Sequence, residues 1–260
     1  MNPHLARIRI FPFKSLDGQD VAEAAVLRSG ALAHDREYCF VDEKGAFVNG
    51  KQAGERIIRI RSAFDFGFGQ VTLADHDGTA TCFPHREHEP IEAWVSERVG
   101  VPVRLKDNAD SGFPDDTDAS GPTIVSTASL EAVASWFDLT LEETRRRFRA
   151  NLEVGGVPAF WEDRLFGLEG ETGRFRIGDV WVEGVNPCQR CTVPGRDPES
   201  GGVKPGDFAK SFAEKRREAL PAWAEPSRFD HYYRFAVNTR IAASEAGKVL
   251  EVGDRVDLVE

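Results

Sequence analysis

The sequence predicts a β-rich α+β protein with barrel-type strand layers and a few helical excursions. Three observations predict it. Short runs of alternating apolar and polar residues recur from end to end, beginning with Leu5–Phe11, where Ile8 and Ile10 share one face and Arg7 and Arg9 the other. Turn residues such as Asp77-Gly78 punctuate those runs. Helical spacing appears in only four places.

In chain order, Glu37–Asp42 leads through the turn Glu43–Ala46 into Phe47–Gly50 and reads as a hairpin. Arg56–Phe64 reads as a strand, and Gln70–Phe83 as two short strands about an Asp-Gly turn. Pro90–Gly100 has helical spacing, with Ile91, Trp94 and Val95 on one face. The acidic stretch Asp107–Pro122 is rich in Gly, Pro and Ser. It reads as a linker over 107–121 between halves at 1–106 and 122–260, or as a long surface loop inside one domain. Thr123–Ser126 is a strand, followed by a helix carrying Leu130, Val133, Ala134 and Phe137. Thr140 with Glu143 three residues on is the pattern of a capping box. Strands follow at Asn151–Gly156, Gly173–Gly178 and Asp179–Val185, then a helix at Asp207–Leu220 and closing strands at Arg234–Ala242 and Val249–Glu260.

The 260 residues carry a formal net charge of −10, which argues against a general nucleic-acid surface. No apolar run approaches the roughly 20 residues of a membrane span, and the N-terminus alternates rather than forming a signal-peptide block. The expected compartment is the cytoplasm. Four cysteines, Cys39, Cys82, Cys188 and Cys191, are too few for a disulfide scaffold in a chain of this size.

Cys188 and Cys191 lie in Val185–Gly201, with Arg190 between them. Thioredoxin-like redox chemistry needs a helix starting at the first cysteine, and Pro194 and Pro198 oppose one. A zinc site would need a second pair of ligands, for which Cys82, His85 and His88 are candidates; burial of Cys82 on a strand and histidines in an exposed turn are the plainer reading. A single reactive thiolate beside Arg190, suited to a soft or high-valent metal, is the third reading.

Seven separated stretches carry a resemblance: Phe11–Ser15, His34–Asp42, Ile124–Leu130, Arg147–Val154, Trp161–Gly167, Asn186–Gly201 and Val249–Val259. Together and in this order they resemble the MOSC superfamily in its two-part form, with an N-terminal β-barrel domain (1–106) and a C-terminal MOSC domain (122–260). Within it the likeness is to the mitochondrial amidoxime-reducing component and its bacterial counterparts. The resemblance implies a molybdenum cofactor, with Cys191 as the metal ligand and catalytic position. It implies cofactor contacts from Lys14, Ser15, Arg36, Ser126, Arg149, Asn151 and Arg190, with Lys51 near a further basic position. The chemistry agrees: a pterin phosphate needs several cationic or forked donors.

The implied activity is reduction of N-hydroxylated compounds, such as amidoximes and hydroxylamines. Alternatives in the same superfamily are a sulfur carrier or transferase working through a cysteine persulfide, and a non-catalytic carrier of the cofactor. No ferredoxin segment or N-terminal anchor is read in the chain, so a separate iron–sulfur or flavin protein is the expected electron donor. His34 is a candidate proton donor. The chain departs from the family pattern at Gln189, where a small residue is usual, and in the Pro194-Gly195 insertion.

Overall fold

A computed structural model describes residues 2–203 and 206–259; Met1 and Glu260, the outer ends of the expected domains, lie outside them. The described residues form fifteen strands and five α-helices. The N-terminal part contains β1 (His4–Ile10), β2 (Gln19–Val21), β3 (Glu23–Ala25), β4 (Tyr38–Val41), α1 (Glu55–Ile58), β5 (Arg61–Asp65), β6 (Gln70–Ala74), β7 (Ala80–Pro84), α2 (His88–Val99) and β8 (Arg104–Asp107). The C-terminal part contains β9 (Ile124–Ser126), α3 (Thr127–Phe137), α4 (Leu141–Phe148), β10 (Leu152–Gly155), β11 (Gly173–Ile177), β12 (Val180–Gln189), α5 (Phe208–Glu218), β13 (Arg234–Arg240), β14 (Val249–Glu251) and β15 (Val256–Leu258).

An eight-stranded sheet in the order β15-β11-β12-β13-β9-β10-β1-β2 forms the frame. Its β9–β10 pair is parallel; its other pairs are antiparallel. The smaller sheets pair β14 with β3, β4 with β8, and β5-β6-β7 in sequence. Strand β12 alternates as a half-buried strand should, with Val180, Val182 and Gly184 inward. Strands β4 and β10 are buried at every position, because both of their faces are covered.

Two of the expected features change. Arg56–Phe64 is not one strand: Glu55–Ile58 forms a helical turn, and only Arg61 onward pairs with β6. The boundary at residue 106 does not separate the cores either. Strand β1 pairs with β10, and β3 pairs with β14, so the first strands of the chain belong with the C-terminal half. One core accordingly joins Leu5, Ile8, Ile10 and Leu32 to Phe175, Val182, Val237 and Leu250. A second holds Phe13, Phe40, Phe64, Val71 and Trp94. A third packs Leu130, Val133, Phe148, Phe212 and Phe235 beneath α3, α4 and α5. The alternation of β1 was visible in sequence, but its partner lies some 150 residues away and local pattern carries no such information.

Helix starts follow the sequence closely. The Thr140 hydroxyl accepts from the Glu143 N–H at 3.1 Å, capping α4 as expected. Ser126 caps α3 in the same way, accepting from the Ser129 N–H at 3.1 Å. Beneath α3 lies a buried charged knot. Glu162 accepts from the Ser126 N–H (3.2 Å) and the Ser129 hydroxyl (2.9 Å), and Arg216 donates to Asp163. The Arg216 guanidinium also rests on the Phe160 ring, 4.2 Å from its centroid.

Burial, joined by the Asp163 charge, raises the Glu162 carboxyl above the usual carboxylate range. An acid whose pKa rises on folding stabilises the fold most while protonated, and that stability is lost as pH climbs from the unfolded value towards the folded one. Glu162→Gln should therefore be more stable than the wild type at pH 8, with the advantage shrinking towards pH 5, in urea unfolding at both pH values. Phe175, fully buried in the first core, offers a packing test: Phe175→Ala should cost about 3–5 kcal/mol by the same measurement, whereas Phe68→Ala, at an exposed hairpin tip, should cost almost nothing.

Candidate functional site

A cleft of about 910 Å³ opens where the first and second cores meet. The segment after β1, the Asp35-Arg36 turn, the 111–121 loop, the end of α4, and the end of β12 with the chain beyond it form its walls. Of the expected positions, Lys14, Ser15, Arg36, Arg149, Asn151, Arg190 and Cys191 all line it, as does Lys51. Ser126 does not.

Three of these residues hold left-handed backbones that side-chain-bearing residues rarely adopt: Ser15 (φ 78°), Arg36 (φ 53°) and Arg149 (φ 53°). Each such residue costs on the order of 1 kcal/mol or more, and such costs concentrate at functional sites. The cause is visible at Arg149. It is the C-terminal cap of α4, and the left-handed turn reverses the chain and swings the side chain inward. Its Nη1 donates to the Leu16 carbonyl at 2.6 Å, and the guanidinium lies 4.1 Å from the Phe11 ring centroid. Burial, with Arg36 nearby, lowers its pKa to about 10, which leaves it a cation at neutral pH.

Lys14 is 8% exposed; its Nζ donates to the Phe113 carbonyl (2.8 Å) and to Asp115 (2.7 Å). Burial lowers its pKa, against the pull of Asp115. Arg36 pairs with Asp35 and donates to Asn151 Oδ1 at 3.3 Å. Asn151 is buried and fully engaged: its Oδ1 also accepts from the Thr123 N–H (3.2 Å), and its Nδ2 donates to the Arg9 carbonyl (3.0 Å). Its immediate work is thus to hold Arg36 and join β1 to β10.

The cysteine pair is asymmetric. Cys188 sits in the last turns of β12, and its Sγ accepts from Arg190 Nη1 at 3.0 Å. Arg190 also donates to the Phe148 carbonyl, and its backbone N–H to the Tyr233 carbonyl at 3.1 Å. Its guanidinium is therefore turned to Cys188, although Cys191 is the next residue in the chain. The Cys191 Sγ has no hydrogen-bond partner among the described residues and is half-buried at the cleft wall. All four cysteines are free thiols.

Two further expectations need correction. Ser126 is fully buried, and its hydroxyl is shared with Ser129 (2.7 Å) and the Pro158 carbonyl (3.3 Å); capping α3 consumes it. Cys82 lies on β7 but on its outward face, exposed, donating to Gln70 at 3.4 Å. His85 bonds the Tyr38 hydroxyl (2.6 Å) and His88 approaches Asp107 (3.6 Å), and no three metal-ligating side chains converge among the described residues. His34 stacks on Phe66 and bonds Glu37 at 2.8 Å, outside the cleft lining.

Sequence reasoning missed the braces of the cysteine loop. Arg147 donates to the carbonyls of Pro194 (2.8 Å) and Arg196, Arg146 to Pro198 (2.8 Å), and Arg61 to Pro198 (2.8 Å) and Glu199 (3.1 Å). The run of three arginines at 145–147 was the available signal, but nothing local shows that Arg146 and Arg147 reach carbonyls about 50 residues on while Arg145 turns to Glu153. No described helix is long and apolar enough to cross a membrane.

Two family models cover the chain: the MOSC N-terminal beta barrel domain over residues 2–144 and the MOSC domain over 117–257. The chain belongs to the MOSC family. Among its curated relatives are a molybdenum cofactor sulfurase of Drosophila grimshawi, 27% identical over 74% of this chain and 28% of that protein, and the human mitochondrial amidoxime-reducing component 1, 25% identical over 88% and 77%. The MOSC chain thus spans only about a quarter of the length of the sulfurases it matches. Of solved structures, the YUAD protein from Bacillus subtilis aligns over 98% of this chain and 94% of its own, at 12% identity and a TM-score of 0.40. As a MOSC protein, the chain has a two-model architecture whose halves interlock through β1 and β3.

The four thiols of this MOSC protein differ in accessibility. Cys39 lies buried on β4, and burial pushes its thiol up to about 11. Brief maleimide treatment at pH 7 should label Cys82 and Cys191 and leave Cys39 unmodified, as read by peptide mass spectrometry.

Proposed function

We propose that this protein is a molybdenum-cofactor-binding oxidoreductase that reduces N-hydroxylated compounds with electrons from a separate iron–sulfur or flavin protein. The observation that carries the reading is the donor set of the cleft. One unengaged thiol, Cys191, faces a concentration of cations in a protein of net charge −10. A pterin-dithiolene cofactor has those two needs: a further soft ligand for its metal, and cationic donors for its phosphate. Lys14, Arg36 and Arg149 supply the cations: Lys14 is held by the Phe113 carbonyl, Arg36 by Asn151 and Arg149 by the Leu16 carbonyl, the last two on strained backbone. A cleft of about 910 Å³ is also of the size that holds a cofactor-sized ligand.

A molybdenum centre bound there would supply the two-electron redox chemistry. The net reaction takes R–NH–OH, two electrons and two protons to R–NH₂ and water. The chain's own part is positional. Cys191 is presented by the loop that Arg61, Arg146 and Arg147 brace. Arg190 occupies Cys188, which keeps the second thiol away from the ligand role. Gln189, exposed at the end of β12, reaches the cleft mouth, where it would bear on substrate choice. The expected compartment is the cytoplasm.

The test is metal and pterin analysis of protein made in a host that synthesises the cofactor, with activity on benzamidoxime and a chemical or enzymatic reductant. Wild type should carry molybdenum near one per chain. Cys191→Ala should lose activity by at least about a hundredfold, and Cys188→Ala by less than about tenfold. Full metal content and turnover in Cys191→Ala would sink the ligand assignment. The rival reading, sulfur transfer, draws on the names of the curated sulfurases. It requires a stable persulfide on Cys188 or Cys191, visible as a gain of one sulfur in the intact mass without molybdenum.

A further inference from the structure

The cationic end of the cleft already contains an anion of its own. Asp115 projects from the 107–121 loop and accepts from Lys14 Nζ at 2.7 Å, with Arg36 and Lys51 also acting on it. Desolvation in the cleft pushes its carboxyl up, but the Lys14 charge and hydrogen bond, then Arg36 and Lys51, outweigh that and bring it down to about 2. It is therefore a carboxylate at any working pH.

The two partners are unequal. The Lys14 side chain is 9% exposed and is also tied to the Phe113 carbonyl, so it stays where it is. The Asp115 side chain is 77% exposed. Its stretch of chain is held just as unevenly. Gly112 and Phe113 are fixed by N–H bonds to the Asn108 and Arg36 carbonyls, and Gly121 by one to Thr239. The glycine ends are close approaches: a Cβ on Gly112 would stand 2.5 Å from the Asp35 carbonyl oxygen, and one on Gly121 would stand 2.7 Å from the Thr239 hydroxyl. Between these anchors, no backbone hydrogen bond among the described residues involves residues 114–117. Asp116 turns back to cap Asp118 and Ala119 and takes Asn238 at 3.2 Å. Asp115 is held by its carboxylate alone.

We infer that Asp115 is a built-in competitor for the anion site: it pairs with Lys14, beside Arg36 and Lys51, while the cleft is empty, and a phosphate-monoester dianion displaces it. The inference rests on the reading of this cluster as the phosphate-binding end of the cleft. A dianion with three acceptor oxygens satisfies the three cations better than one carboxylate, whereas a monoanionic carboxylate gains nothing over the one in place. The 114–117 span then swings outward on its glycine anchors, which couples occupancy of the site to exposure of the loop. The device selects dianionic ligands and spares the empty protein a buried Lys14 without a counter-ion.

Titration of the full-length protein with inorganic phosphate at pH 8, by calorimetry, tests this together with amide hydrogen exchange over residues 113–119. Asp115→Asn should bind phosphate about tenfold more tightly than wild type, since it removes the competing charge. Asp230→Asn, which removes another cleft carboxylate but one paired with Arg234, should change binding by less than about twofold. Lys14→Met should abolish binding. In wild type, phosphate should accelerate exchange in the loop, and in Asp115→Asn the loop should exchange fast from the start. Equal phosphate affinity in wild type and Asp115→Asn, or slower loop exchange on adding phosphate to wild type, overturns the competitor role and leaves the phosphate site standing. Absence of phosphate binding in both proteins overturns the site and the competitor together.

Discussion

The cleft depends on one buried amide. Asn151 stands where α4 has ended and β10 begins, and its side chain joins three pieces of chain that are remote in sequence. It donates to the carbonyl of Arg9 on β1, accepts from Thr123 beside β9, and accepts from Arg36. Its backbone carbonyl also accepts from the Arg9 N–H at 2.7 Å. An amide presents donor and acceptor on one planar group, so it satisfies a carbonyl, an N–H and a guanidinium from the same buried position. Without it, the β1–β10 seam would bury unpaired polar groups where the cationic wall is attached.

From that seam the order of the site follows. Strand β1 runs out into Phe11–Ser15 and delivers Lys14 and Ser15; the chain returns through Asp35-Arg36; α4 ends in the left-handed cap that turns Arg149 inward. Phe11 lies beneath both guanidiniums, with its ring centroid 5.2 Å from Arg36 and 4.1 Å from Arg149. The ring supports two neighbouring cations that repel each other. Strain at Ser15, Arg36 and Arg149 is tolerated because the two cores hold the flanking segments.

The opposite wall is organised by hydrogen bonding to sulfur. Two thiols three residues apart look equivalent in sequence, yet one is paired and the other is not. The difference comes from Arg190, whose guanidinium is drawn back by the Phe148 carbonyl at the end of α4 and so passes Cys188 rather than Cys191. The loop beyond is rigid for a related reason: arginines on α4 and at the start of β5 donate to its carbonyls, replacing the backbone ladder that its prolines prevent.

The sequence alone determined the β-rich class, most strands and helices, the capping of α4 and the family, because alternation, turn chemistry and motif order are local or ordered along the chain. It also indicated which residues meet at the cleft, but only through the resemblance; by composition alone Arg149 reads as a surface charge at a helix end. Tertiary structure decided the rest. It placed β1 in the C-terminal sheet, removed Ser126 to a buried cap, turned Arg190 to Cys188, and set Asp115 against Lys14. Each of these is a pairing between residues far apart in sequence or a choice between two nearby partners. Such choices are settled by which donors and acceptors burial brings together, and no periodicity in a single chain records that.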